Sequence, residues 1–218
     1  MKKFLLALAV LGTTICANAQ ETFAPAKGDF STEIQFAPFS GSKIFSNGAV
    51  FQGRYFLSNK DALVLEVGLS GTNEKTITDT QTGAYTSDYN GKFKINLGYQ
   101  RHFYTYKRLD LYAGCKVGFV HDFAASKTLI DDNNWSWDNN GSGNGFSAYA
   151  LTGFDFYVYK GLYLGAEINV GFEDVLKSGY KTKAVVAGKT EEKTIKGGGH
   201  KLEGGFGVNP LIRLGWKF

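Results

Sequence analysis

The 218-residue chain is rich in glycine and aromatic residues and poor in proline, with 28 Gly, 15% aromatic residues and 3 Pro. This composition favours an all-β chain over a helical one. The chain carries 24 Lys and Arg against 20 Asp and Glu, a formal net charge of +4. A charge balance this close to neutral argues against a basic nucleic-acid-binding surface, so we predict no nucleic acid among the partners.

The N-terminus has the three parts of a secretory signal. Lys2 and Lys3 supply positive charge, the run from Phe4 to Leu11 is apolar, and residues 17–19 form a cleavage motif of the A-x-A type. We therefore predict a cleaved signal peptide at residues 1–19. Cys115 is the only cysteine after this segment, which leaves no partner for an intramolecular disulfide. No later stretch approaches the ~20 consecutive apolar residues of a membrane-spanning helix.

After residue 27, apolar and polar residues alternate in eight segments, a pattern that predicts β-strands with one apolar and one polar face. In the seventh segment, for example, Leu162, Leu164 and Ala166 alternate with Tyr163 and Gly165. The eight predicted strands cover residues 28–39, 49–57, 62–70, 91–103, 109–121, 146–158, 162–173 and 202–218.

The connections between these strands are alternately short and long, as in outer-membrane barrels with tight periplasmic turns and larger outside loops. The long connections, residues 71–90, 122–145 and 174–200, are predicted to be polar loops. An even number of strands lets the sheet close without an edge exposed to hydrocarbon. We predict an all-β, eight-stranded antiparallel up-and-down transmembrane β-barrel at residues 28–218, after a short periplasmic segment at residues 20–27.

Several local features test this assignment. The fourth and fifth strands both point even-numbered residues inward, so their turn should contain an odd number of residues. Pro210 should distort its strand without flipping the register. Arg101 falls on an outward position, where we expect it to snorkel to the interface. Aromatic residues near the periplasmic turns are predicted to form an interfacial girdle: Tyr55, Phe56, Phe103, Tyr104, Tyr106, Tyr157, Tyr159, Tyr163, Trp216 and Phe218.

Charged residues accumulate on the inward positions of the predicted strands. A barrel of eight strands is only wide enough to be filled by side chains, so these groups should pair across the lumen as a polar plug. The predicted lumen network consists of Glu33, Arg54, Glu66, Lys92, Lys94, Lys116, Asp155, Glu167, Glu203 and Arg213.

The sequence gives little support for catalysis or metal binding. His121, Asp122 and Ser126 are close in sequence, with His200 at the top of the last strand, but the spacing does not enforce a catalytic arrangement. The acidic segment 131–141 lacks the spacing and the closing Glu of a calcium-binding EF-hand loop. We therefore predict no catalytic residues, no metal site and no cofactor.

Two outer loops are candidates for contact with other molecules. Trp135 and Trp137 form a candidate contact patch for surface glycans or proteins, because exposed aromatic residues often mark interaction sites. A loop that folds on itself is an equally good interpretation. The last loop is lysine-rich, and its charge would be drawn to lipid phosphates beside an anionic leaflet.

With its signal, alternating strands, aromatic rims and C-terminal run, the chain resembles the small outer-membrane β-barrel proteins of Gram-negative bacteria, of the OmpA/OmpX-like type. Leu214, Trp216 and Phe218 look like the C-terminal signal read by the outer-membrane assembly machinery. The resemblance implies a location in the outer membrane of a Gram-negative bacterium. It also implies that the partners are periplasmic chaperones, the assembly machinery, outer-membrane lipids and lipopolysaccharide.

The favoured hypothesis is a non-enzymatic barrel with a side-chain-filled lumen that acts in membrane structure or in surface contact through its outer loops. The alternatives are a narrow pore for small solutes or ions and a membrane enzyme with its site on the rim. A soluble lipid-binding barrel would need the inverse arrangement, with an apolar interior and a polar outside.

Overall fold

The computed structural model describes residues 23, 25–36, 49–80, 82–131, 133–138, 142–195 and 199–218. These residues form β-strands joined by turns. Within these ranges no helix has the length and apolar character to cross a membrane. The predicted signal peptide lies outside the described residues, and the predicted periplasmic segment falls only partly within them. In the last strand only the backbone is described for several residues, among them Glu203.

Eleven strands can be assigned in the described part of the chain. They are β1 (Phe30–Phe36), β2 (Ala49–Phe56), β3 (Asp61–Asp79), β4 (Ala84–Tyr106), β5 (Leu109–Asp131), β6 (Asn134–Asp138), β7 (Gly143–Tyr159), β8 (Leu162–Lys177), β9 (Tyr180–Val186), β10 (Lys189–Ile195) and β11 (His200–Lys217).

Eight of these strands close into a ring. In order they are β1, β2, β3, β4, β5, β7, β8 and β11, and β11 pairs again with β1. Every pairing is antiparallel, and the closure places Ser31 opposite Lys217 and Phe36 opposite Ile212. The predicted eight-stranded antiparallel barrel is confirmed.

The two faces of the barrel wall differ as the alternation predicts. Leu97 is 64% exposed and Ile168 is 42% exposed on the outside, whereas the side chain of Glu167 is fully buried in the lumen. An apolar outer surface around a charged interior is suited to a barrel whose outside contacts the hydrocarbon of a membrane. This arrangement is the reverse of what a soluble lipid-binding barrel requires.

The turn between β4 and β5 corrects the expectation of an odd number of turn residues. β4 and β5 are joined by only two residues, Lys107 and Arg108, but the register shifts between His102 and Tyr104. This β-bulge supplies the extra residue that keeps inward positions opposite each other. The β7–β8 hairpin has the same design, with a two-residue turn and a register shift between Tyr157 and Tyr159. The expectation of an odd turn was wrong because a bulge in the strand can replace a residue in the turn.

The predicted polar loops contain strands that extend the barrel wall. β3 and β4 stay paired beyond the predicted loop start, as far as Asp79 opposite Ala84, and β5 continues to Asp131. β6 pairs with the upper part of β5, β9 pairs with β6, and β10 pairs with β9. We call this sheet, formed by the upper parts of β3, β4 and β5 with β6, β9 and β10, the extracellular sheet, because it occupies the connections predicted to lie on the outer side.

The strand lengths require this extension. β4 and β5 contain 23 residues each, whereas a tilted membrane-spanning strand needs about 9–11. The remaining dozen residues, at about 3.3 Å per residue, project well above the membrane.

The region of Pro210 is irregular, but it preserves the faces of the strand. Gly205 lies opposite Gly171 and Asn209 opposite Asn169, so four steps along β11 match two along β8. An irregularity of two residues leaves inward positions inward.

Candidate functional site

A floor of buried aromatic side chains lies across the lumen at the end of the barrel that carries the short turns, the predicted periplasmic side. Phe56, Tyr112, Tyr157 and Tyr163 are each at most 1% exposed. Phe56, Tyr157 and Tyr163 were predicted to belong to the interfacial girdle, and this prediction was wrong for all three. Their neighbours Tyr55, Phe156 and Leu164 point outward, so strict alternation turns them inward.

A buried histidine lies within this floor. The Nδ1 atom of His102 lies 2.6 Å from a carboxylate oxygen of Asp110, and both side chains are fully buried. The other oxygen of Asp110 accepts a hydrogen bond of 2.8 Å from the hydroxyl of Thr105. The His102 ring also packs between those of Phe56 and Tyr112, at centroid distances of 5.1 and 5.3 Å. These contacts make His102 part of the packed floor.

Above the floor, two arginines share two carboxylates in the centre of the barrel. Arg54 lies 3.2 Å from Glu33 and 2.7 Å from Asp155, and all three side chains are fully buried. Arg213 donates through its Nε to Glu33 at 2.7 Å and lies 3.4 Å from Asp155. The hydroxyl of Tyr163 donates to Glu33 at 2.7 Å. β1, β2, β7, β8 and β11 are thereby linked across the lumen.

The guanidinium groups also stack on the aromatic floor. Arg54 lies 5.0 Å from the ring centroid of Tyr163 and 5.7 Å from that of Tyr112, and Arg213 lies 4.9 Å from the centroid of Tyr112. Desolvated cation–π contacts of this kind favour a buried guanidinium. The two arginines are therefore held from below by aromatic faces as well as by carboxylates.

Lys116 links the arginine layer to the next layer of the lumen. Its ammonium group donates to Glu66 and lies 3.5 Å from Glu167, which in turn lies 3.4 Å from Arg213. Glu66 also accepts a hydrogen bond of 2.7 Å from the side-chain amide of Asn96. The result is one continuous network from Glu33 to Glu66, buried throughout.

The mouth of the lumen is more open than the centre. Lys92 and Lys94 each lie 2.6 Å from Glu173, and their side chains remain 23% and 27% exposed. The hydroxyl of Tyr149 donates to the same carboxylate, and Asp122 lies 3.8 Å from Lys92. Here water reaches charges that are still paired.

This arrangement is suited to filling and bracing the barrel. Desolvated charges are stable only when they are paired and hydrogen-bonded, and breaking one pair leaves an uncompensated charge.

Within the described residues, no group of three or more His, Cys, Asp and Glu side chains could hold a metal ion.

The residues weighed for catalysis are not brought together. His121 contacts Asn144 at 2.8 Å, whereas the hydroxyl of Ser126 donates to Asp88 at 2.6 Å. An odd and an even position on β5 face opposite sides of the sheet, so His121 and Ser126 point apart. The side chain of His200 lies outside the described set.

Arg101 has an ionic partner that the sequence interpretation missed. It donates to Asp61 at 2.7 Å, and the hydroxyl of Tyr99 donates to the same oxygen. Asp61 lies directly opposite Arg101 in the β3–β4 pairing, so the strand register was the signal that could have revealed the pair.

The outer face of the extracellular sheet carries aromatic residues and lysines side by side. Trp137 lies opposite Lys127 of β5 and Lys183 of β9, and Trp135 lies opposite Val185. Trp137 is 39% exposed. The ammonium group of Lys183 lies 5.9 Å from the ring centroid of Trp135. The predicted contact patch is therefore part of a strand and faces outward.

The next strand pair continues this surface. Lys75 and Lys127 lie 3.9 and 5.8 Å from the ring centroid of Tyr85.

At the β5–β6 turn, hydrogen bonds from the side chain of Asn134 and the backbone of Asn133 lower the pKa of Asp131 below its usual value.

The residues predicted to form the assembly signal lie on the outside of the wall. Leu214 and Trp216 are 45% and 36% exposed, and the ring of Phe218 stacks on that of Phe30 at 6.3 Å. An apolar outer stripe at this edge is accessible to lipid. Its recognition by assembly machinery stays a prediction.

A family model and a solved structure match this chain. The chain matches the model of the putative OmpA-OmpF-like porin family over residues 40–173, more than half of its length. The crystal structure of Ail, the attachment invasion locus protein of Yersinia pestis, matches with a TM-score of 0.45 and 13% identity, over 88% of this chain and 99% of that chain. No curated protein matches.

The closed ring, the lipid-facing apolar surface and the charged interior together define an outer-membrane β-barrel protein. The chain belongs to the putative OmpA-OmpF-like porin family.

Proposed function

We propose that the protein is a non-enzymatic barrel of the Gram-negative outer membrane whose lumen is closed and whose extracellular sheet is a contact surface. The observation that carries the first part is the fully buried cluster of Arg54, Arg213, Glu33 and Asp155. These side chains meet from different walls of the barrel, in the space that a pore would need.

Electrical recording from the purified protein in planar bilayers tests the closed lumen. We expect no steady single-channel steps from the native protein. The double variant Arg54→Ser/Glu66→Ser shortens one side chain in each of two layers and should open a conductance. A matched control, Lys75→Ser/Glu74→Ser, removes the same charges from the extracellular sheet and should leave the bilayer silent.

Steady steps in the native protein that disappear in Arg54→Ser/Glu66→Ser would show a narrow pore lined by these charges. Such a result would overturn the proposal in favour of the runner-up hypothesis. Heat-modifiable migration on a denaturing gel verifies that each variant has folded.

The second part of the proposal rests on the tryptophan face of the extracellular sheet. Trp137 is exposed beside Lys127 and Lys183, a combination that can stack on a sugar ring and pair with its acidic substituents. The outer edge of β10, whose residues from Lys189 to Thr194 are exposed, offers backbone groups to an extended peptide.

Binding of protein-containing vesicles to an array of surface glycans tests this contact role. We expect the glycan affinity of Trp135→Ala/Trp137→Ala to fall by at least about tenfold, since truncation of an aromatic anchor commonly costs more than 1 kcal/mol of binding free energy. Ile130→Ala is the control, because Ile130 is an apolar side chain of the same hairpin that is 57% exposed and has no partner in the β5–β6 pairing. Equal binding by all three proteins contradicts glycan contact through the tryptophans.

A further inference from the structure

The two short hairpin turns on the periplasmic side share a design that the closed lumen does not explain. In each, a tyrosine at the end of the strand is followed by a lysine in the turn: Tyr106-Lys107 and Tyr159-Lys160. Both lysines have a positive φ, 52° and 45°. Glycine or asparagine is the usual choice for this conformation, so the backbone geometry alone does not account for lysine at either position.

The β-bulges decide where the tyrosines point. Without its bulge, β4 would turn Tyr106 to the same side as His102, into the lumen. With the bulge, Tyr106 lies opposite the outward-facing Leu109 and is 56% exposed. Tyr159 likewise lies opposite Leu162 and is 60% exposed. Both rings therefore face lipid at the periplasmic interface, where tyrosine side chains sit among headgroups.

Each lysine is positioned beside its tyrosine. The Nζ atom of Lys107 lies 5.3 Å from the ring centroid of Tyr106, and that of Lys160 lies 5.4 Å from the centroid of Tyr159. The ammonium groups are thus held against rings on the outer surface of the wall, at the level where a lipid phosphate would lie.

Arg108 connects the two hairpins. It donates to the backbone oxygen of Val158 at 3.1 Å, and its guanidinium lies 4.9 Å from the ring centroid of Phe23. Since β5 and β7 are neighbours in the ring, the two Tyr-Lys turns are adjacent along the periplasmic rim. The site therefore combines two ammonium groups, two phenols and a guanidinium along one short arc.

The positive charge of this arc has no acidic partner among the residues that the structure describes. In the described ranges, neither Lys107 nor Lys160 has a carboxylate within ion-pair distance, and Asp61, the acid at the third short turn, pairs with Arg101. Asp110 is enclosed in the floor with His102. In contrast, two turns at the far end of the barrel adjoin an aspartate, Asp79 or Asp131. A local excess of cations beside lipid-facing phenols is complementary to a phosphate group.

We propose that the periplasmic rim formed by Tyr106, Lys107, Arg108, Tyr159 and Lys160 binds the phosphate of an anionic phospholipid in the inner leaflet of the outer membrane. The lysines supply the charge, and the tyrosine hydroxyls are placed to donate hydrogen bonds to phosphate or glycerol oxygens. The bulges and turns hold this set at one depth, so the contact anchors the barrel vertically in the bilayer.

Trp216 is a natural reporter for this site. It lies on the outer face of β11, 36% exposed, opposite Leu162 and close to the Lys160–Gly161 turn. The chain contains three tryptophans. Replacing Trp135 and Trp137 with phenylalanine leaves Trp216 as the single fluorophore.

The test compares quenching of Trp216 by two brominated lipids in vesicles of phosphatidylcholine. One series contains dibrominated phosphatidylglycerol, which is anionic, and the other contains dibrominated phosphatidylcholine. We expect the anionic lipid to occupy the sites beside Trp216 about five times more readily, from about 1 kcal/mol per basic contact. The preference should shrink as the salt concentration rises.

Lys107→Asn/Lys160→Asn should lower this preference to near one, while asparagine tolerates the positive φ of both turns. Lys107→Arg/Lys160→Arg keeps the charge and should retain the preference. Lys75→Asn/Lys127→Asn removes the same charge from the extracellular sheet and should change nothing. Heat-modifiable migration verifies folding of every variant.

Equal quenching by the two lipids in the parent protein would overturn the proposal, as would a preference that survives Lys107→Asn/Lys160→Asn. If the parent shows no lipid preference but sediments with purified peptidoglycan and the asparagine variant does not, the rim binds the wall polymer instead of phospholipid, which also overturns it. These outcomes are independent of whether the lumen conducts.

Discussion

The lower and upper halves of β3, β4 and β5 have the same backbone pairing but differ in the burial of their side chains. Buried and exposed residues alternate in the lower half, and this alternation is lost in the upper half. In the lower half of β3, Ala62, Val64 and Glu66 are buried while Leu63 and Leu65 are exposed. Above Ser70 in the same strand, every residue on both faces is exposed. The ladder of backbone hydrogen bonds continues through this change without interruption.

The difference shows that apolar and polar residues alternate along a strand only where the two faces of the sheet meet different environments. Hydrocarbon outside and packed charges inside demand opposite residues on the two faces, whereas water on both faces demands neither. The lower half is therefore expected to respond strongly to single substitutions and the upper half weakly. Each prediction below uses the free energy of unfolding by urea in lipid vesicles, followed by Trp216 fluorescence in the Trp135→Phe/Trp137→Phe protein.

The largest effect is expected for Glu33→Leu. This substitution removes the carboxylate shared by Arg54 and Arg213 and leaves the hydroxyl of Tyr163 without its acceptor. We expect the free energy of unfolding to fall by about 3–5 kcal/mol, or folding to fail, because two buried cations lose a partner. A loss below about 1 kcal/mol would mean that water already solvates the arginine layer.

Glu66→Leu and Glu74→Leu apply one substitution to the same face of one strand, inside and above the membrane. Glu66 is buried against Lys116 and Asn96, whereas Glu74 is exposed. We expect losses of about 2–3 kcal/mol for Glu66→Leu and less than about 0.5 kcal/mol for Glu74→Leu. Similar losses at the two sites would contradict the contrast between the halves.

Gly215→Ala and Gly71→Ala make the same comparison for packing. A Cβ at Gly215 would lie 2.2 Å from the ring of Tyr163, but a Cβ at Gly71 would make only ordinary contacts of 3.7 Å. Since Tyr163 is packed in the floor, we expect Gly215→Ala to cost about 1–3 kcal/mol. Gly71→Ala should be close to neutral, and urea unfolding of the two variants side by side would reveal any reversal.

The features that depend on local alternation were predictable from the sequence. The strands around the ring follow from period-two patterns, and Thr152 and Leu151 in the least regular strand face outward and inward as the alternation requires. The same rule also places Phe56, Tyr157 and Tyr163 inside. These three were assigned to the girdle because proximity to a turn was given more weight than parity.

The features that depend on closure of the ring were not predictable. Arg54 and Glu66 flank one turn, but Arg54 pairs with Asp155 and Glu66 with Lys116, residues from walls that meet only when the barrel closes. The stagger of the closed sheet sets these partners, and no local pattern reports it. The extracellular sheet was read as loops because strands in water on both faces have no alternation to detect.

Shortening the extracellular sheet should have the smallest effect for the number of residues changed. Thr72 and Asn90 are directly paired, so replacing residues 73–89 with Asn-Gly joins them through a two-residue hairpin loop in the existing register. We expect the free energy of unfolding to change by less than about 1 kcal/mol, because the deleted residues contact neither the lumen nor the lipid-facing band. A loss comparable to that of Glu66→Leu would instead show that the upper strands hold the register of the barrel below them. The contrast between the halves would then be one of side-chain pattern alone, without a matching difference in stability.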